Sequence, residues 1–177
     1  MRAFLDRLFS WASDLAATCV LAIFVLMIAA SIGRMLGWRV GGINDIVAWL
    51  AAGAAFLAMA HAFKQGDFVR VTLLLEKLGP KSRRMFELLS LFIAAVSSAY
   101  LSYWAAVSTW DSYQFNEMAG GLVVIPLWIP QLSFVIGALL LSVAILDEWV
   151  RVLQGQRPTY VALAEERHAR ADFSNEV

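Results

Sequence analysis

The groups in this chain that could do chemistry are two histidines (His61 and His168), one cysteine (Cys19), and four acids at the ends of apolar runs (Asp45, Glu87, Asp147 and Glu148). Histidines paired across helices would hold a haem, and a carboxylate deep in an apolar run would carry a proton or an ion. Two cysteines would make a disulfide or a thiolate metal site. None of these constellations is complete. His61 sits alone, about one turn from the end of its run, and reads as a neutral, hydrogen-bonded histidine rather than a relay. Cys19 lacks a mate and reads as a small buried or lipid-facing residue, and the four acids read as solvated or headgroup-bonded. With no Gly-rich phosphate loop, nucleophile elbow or metal-ligand spacing in view, the expectation is a protein without catalytic residues, metal or cofactor, and not an enzyme.

The elements that would position these groups are long and apolar. The chain is 60% hydrophobic and 16% charged over 177 residues, with mean hydropathy +0.68, too little polar surface to cover a soluble globule of this size. Zero formal net charge and the lack of a basic stripe argue against nucleic acid as a partner. A helix needs about 20 apolar residues to cross the hydrocarbon core. Runs at 15–33, 46–63, 88–110 and 127–146 meet or approach that length, the last with Pro126 and Pro130 at its start, where proline is tolerated. The fold expected is an all-α integral membrane protein, a single four-helix membrane domain over 1–177 with a tail at 150–177.

Orientation follows from charge. With four spans, the two termini and the middle connector share one side, and that side carries twelve of the fourteen Lys and Arg residues, six of them in the 64–84 connector. The other side has only Arg34 and Arg39. The positive-inside rule then puts both termini in the cytoplasm. Trp38, Trp49, Trp104, Trp110 and Trp128 map near the outer boundary and Trp11 and Trp149 near the inner one, where indoles favour the headgroup level. The first run reads as a span rather than a signal peptide, since Asp6 and Asp14 precede it and it exceeds the usual apolar region of such leaders.

The basic connector predicts an amphipathic interfacial helix at 67–78. Val71, Leu74, Leu75 and Leu78 form an i, i+3, i+4, i+7 stripe, Arg70 and Lys77 face phosphates, and Gly79–Pro80 ends it. Lys81, Arg83 and Arg84 then anchor the start of the third span. Inside the spans, small residues dominate. The second holds Ala48, Ala51, Ala52, Gly53, Ala54, Ala55, Ala58, Ala60 and Ala62, and the third holds Ser90, Ala94, Ser98, Ser102 and Ala106 at four-residue spacing. Such surfaces suit close helix packing in lipid, where apolar tails give helices no hydrophobic drive to associate. Spacing alone leaves open whether the partner helices belong to this chain or another.

The stretch HAFKQGDFVRVTLLLEKLGPKSRR from His61 resembles the small Q, or DctQ-like, membrane subunit of tripartite ATP-independent periplasmic (TRAP) transporters. Gly66, Asp67, Val69, Arg70 and Val71 match the family pattern, while Phe68 stands where His is common and Thr72 where Asp often stands. The segment IPLWIPQLSFVIGALLLSVAILDEWVRVLQG from Ile125 resembles the family's fourth span, with Pro126, Trp128, Pro130 and Gly137 in order. The resemblance implies a scaffold in the bacterial inner membrane that braces a large, substrate-translocating M subunit. A periplasmic P protein would capture an organic acid such as a carboxylate, and a sodium gradient would drive uptake. It also suggests the outer-side charges Arg34, Arg39, Asp111 and Glu117 as candidate contacts with the periplasmic protein. Two alternatives compete: a self-sufficient homo-oligomeric transporter or channel, which should show an ionisable group deep in a span, and a redox-enzyme anchor, which lacks its histidines.

Overall fold

The computed structural model describes residues 2–37, 41–66, 80–156 and Thr159. Four helices account for its regular structure: α1 (Arg2–Met35), α2 (Ile43–Gln65), α3 (Pro80–Gln114) and α4 (Trp128–Leu153). All four are long and apolar enough to span a membrane. Among the described residues there is no strand, only an isolated antiparallel bridge between Met118 and Pro126. The interfacial helix expected at 67–78, most of the tail at 150–177, Trp38, Arg39 and His168 lie outside the described residues.

Each helix runs past its apolar core. α3 has 35 residues, so at 1.5 Å per residue it is about 50 Å long against a hydrocarbon core of about 30 Å. Its first residue is Pro80, a position where the missing amide costs no hydrogen bond. α2 stops at Gly66, whose φ of 78° lets its amide reach back to the carbonyls of Ala62 and Phe63. α4 takes Pro130 in its first turn, and the Pro130 carbonyl accepts the Ser133 hydroxyl at 2.8 Å.

α2 and α4 form the centre, with α1 laid on α2 and α3 on α4. The α2–α4 contact is close because Gly137 leaves room for it: a Cβ there would stand 2.5 Å from the Phe56 carbonyl carbon. A few turns away Gly53 faces Ser133, whose hydroxyl oxygen would be 3.0 Å from an added Cβ. Ala12, Ala16, Ala54 and Leu57 close the α1–α2 seam. Phe9, Ala60, Phe63, Leu91, Ala144 and Val152 gather all four helices at one end.

The small-residue row of α3 differs from the four-residue spacing. Its buried positions are Leu91, Ala95, Ser98, Ser102, Ala105, Thr109 and Ser112, alternating steps of four and three, while Ser90 and Ala106 are exposed. Steps of four drift by about 40° each around a helix of 3.6 residues per turn, so only a mean step near 3.5 keeps facing one neighbour. That neighbour is the chain's own α4: the Ser102 and Ser142 hydroxyls lie 2.9 Å apart and share a hydrogen bond across the helices. α2 divides similarly, with Gly53, Ala54 and Ala60 buried and Ala48, Ala51, Ala52 and Ala55 exposed. Large apolar side chains face outward along α1 and α3, among them Leu21, Phe24, Ile93 and Val96. Lipid is the solvent that tolerates such a surface.

Candidate functional site

Polar groups concentrate at the two ends of the bundle. At one end Lys64, in the last turn of α2, donates to Asp147 Oδ2 at 2.6 Å and stands 3.9 Å from Glu148 Oε1 and 3.8 Å from Asp6 Oδ1. Its ammonium also lies 5.5 Å from the centre of the Phe9 ring, within cation–π range. Glu148 is completely buried. Its Oε2 accepts the Thr159 amide at 3.0 Å, its Oε1 lies 4.0 Å from an Arg151 guanidinium nitrogen, and Arg151 bonds the Thr159 hydroxyl. Arg84 donates to the carbonyls of Val152 and Leu153 at 3.2 and 3.1 Å, covering the open C-terminal end of α4. The cluster therefore joins Asp6 of α1 and Lys64 of α2 to Asp147, Glu148 and Arg151 of α4, with Arg84 of α3 bound to the carbonyl end of α4 beside them.

Asp147 and Glu148 are thus not the solvated acids that their place at a span edge predicted. They are consumed by Lys64 and Arg151, which approach from α2 and from the next turn of α4. Asp45 departs from expectation in the same way, accepting the backbone amides of Leu122 and Val123 at 2.8 and 3.3 Å, and Glu87 is half-buried. His61 is half-buried without a hydrogen bond to another described residue, so the expected partner is not found there. Cys19 is half-buried at the α1–α2 seam.

Asp45 belongs to the opposite end, where the connector between α3 and α4 folds back as a hairpin. The Ala119 amide donates to Ile125 O and the Leu127 amide to Glu117 O, both at 2.9 Å. Gly121 is packed so tightly on Asp45 that a Cβ there would fall on the carboxylate, and Gly42, at φ 84°, faces Val123 as closely. Beside the hairpin Tyr113 lies between Trp110, tilted against it, and Trp128, edge-on to it, with ring centres 5.9 and 5.8 Å away. These rings border an open, apolar cleft of about 480 Å³ between α3 and α4, floored by Thr109, Leu132 and Val135.

Between the two ends the buried hydroxyls are satisfied locally. Ser98 and Thr109 donate to carbonyls three and four residues earlier, while of Ser102 and Ser142 one hydroxyl donates across the seam to the other, which donates to the carbonyl four residues before it. Among the described residues no group of His, Cys, Asp and Glu could hold a metal ion.

The family model described as tripartite ATP-independent periplasmic transporters, DctQ component, matches residues 23–155. The chain belongs to the DctQ family. The match takes in the C-terminal part of α1 from residue 23, all of α2 to α4, the Asp45-held hairpin, and Lys64, Asp147, Glu148 and Arg151. A DctQ protein is the small component of a TRAP transporter, and this one is a multi-pass membrane protein with helices suited to that part. No curated protein matches the chain.

The residues singled out in the sequence are not gathered into one site. Arg34 and Asp111 are exposed on α1 and α3. Glu117 accepts the Ser112 hydroxyl at 2.8 Å and is thereby engaged within the chain. Of the motif residues, Gly66 ends α2, Pro126 forms the bridge, Trp128 opens α4, Pro130 lies in its first turn and Gly137 admits α2. Asp67, Val69, Arg70, Val71 and Lys77 lie outside the described residues, as do the side chains of Lys81 and Arg83. The Lys64 clasp and the Asp45 grip were missed from sequence. One signal was available: Lys64 and the Asp147–Glu148 pair end their spans on the same side of the membrane with opposite charge.

Proposed function

We propose that this chain is the Q subunit of a sodium-driven TRAP transporter for organic acid uptake in the bacterial inner membrane, with both termini cytoplasmic. It braces the large M subunit as a non-catalytic scaffold. The observation that carries the scaffold reading is the use of polar groups: the buried hydroxyls of α3 and α4 bond within the chain, and the buried charges sit in a clasp at one end. A translocation site needs polar or charged groups turned toward a cavity near the midplane, and the cleft between α3 and α4 is apolar. The outward apolar faces of α1, α2 and α3 suit packing against other membrane helices as well as lipid. Arg34 and Asp111, exposed near the expected periplasmic side, are available to steer a soluble P protein, with Arg39 in the adjoining connector.

The test is purification in mild detergent from cells that express the neighbouring genes. The tagged chain should bring down a much larger multi-span protein in fixed proportion. Recovery as a homo-oligomer alone would refute the scaffold reading and favour a self-sufficient transporter.

A further inference from the structure

The 115–127 connector exposes Met118, Leu122 and Val124 at 56, 79 and 71% of their surfaces. Loops that expose side chains like these are ordinarily pliable, but this one is held. The Met118–Pro126 bridge closes its base, the Asp45 carboxylate on α2 takes both tip amides, and glycines at 42 and 121 allow the two connectors to meet without a Cβ between them. A rigid loop presenting apolar side chains has its ordering cost met before it binds anything, which favours docking.

We propose that this hairpin is a permanent docking element for the outer end of the large membrane subunit, with Asp45 as the positioning residue that holds it out. The inference rests on the Q-subunit reading above. The chemistry of the tip selects this occupant. No charged residue occurs between Glu117 and Asp147, and permanent interfaces are the apolar ones, whereas a soluble protein that must bind and leave is steered by charge. A lipid surface is disfavoured for a related reason: segments that lie in headgroups carry Lys or Arg for the phosphates, and the 115–127 connector has neither, its one charged residue being Glu117.

The test places a photo-crosslinking amino acid at Leu122, and separately at Val124, in the whole transporter in native membranes. The adduct is expected on the large subunit at both positions and should weaken in the Asp45→Ala background, where the hairpin loses its grip on α2. Adducts confined to lipid or to the periplasmic protein, or none at all, overturn the proposal. A second variant, L122E/V124E, changes only exposed side chains, so the chain should keep its thermal midpoint while recovery of the large subunit falls by roughly tenfold or more. Unchanged recovery contradicts the docking role. Wild-type chain that recovers no large subunit would instead refute the Q-subunit reading itself, so the two failures are distinguishable.

Discussion

Lys64 carries more of this molecule's organisation than any other charged side chain. It meets Asp147 directly and Glu148 and Asp6 at longer range, with about an eighth of its own surface exposed (12%). Removing Lys64 leaves the largely buried Asp147 without its partner, which costs more than the pairing gains. Lys64→Ala should therefore lower stability by roughly 3 kcal/mol, read as a fall in the thermal unfolding midpoint in detergent. Lys64→Ala/Asp147→Ala should recover part of the loss, because Glu148 keeps Arg151 and the Thr159 amide. Equal losses in the two variants would mean that the clasp is not coupled. This arrangement was hard to read from sequence for a physical reason. The partners lie 83 residues apart, and a charge at a span edge looks the same whether it faces headgroups or another helix. Asp45 was still less legible, since a backbone amide accepts any sequence around it.

At the scale of elements, hydropathy is a local property that survives without tertiary knowledge, and the four helices follow the four apolar runs for that reason. Their ends do not. α1 and α3 continue into polar sequence, as α1 does through Asp6 and Arg7, because backbone hydrogen bonding does not stop where the hydrocarbon does. The face that packs was only half legible: the four-residue row shares Ser98 and Ser102 with the buried face but left its partner open, while the true row alternates three and four. Gly137 gives the sharpest test of the α2–α4 seam. Gly137→Ala would put a methyl against the Phe56 backbone and should cost about 1–3 kcal/mol by overpacking. Gly120→Ala meets nothing within 4 Å and serves as its control. A thermal midpoint unchanged in the Gly137 variant would show that the helices have room to separate.

For the whole molecule, the two ends are the informative regions and the span interiors are plain. One end joins α1, α2 and α4 through ion pairs and α3 to α4 through Arg84 and two carbonyls, and the other ties α2 to an apolar hairpin. Between them lies a bundle whose buried hydroxyls bond within the chain. That build fits the scaffold role proposed above. The central claim, that this DctQ chain supports transport without moving substrate, is tested most directly in proteoliposomes with an inward sodium gradient. Vesicles holding this chain, the large subunit and external binding protein should accumulate organic acid, while vesicles holding this chain alone should not. Sodium-dependent uptake by this chain alone would contradict the account.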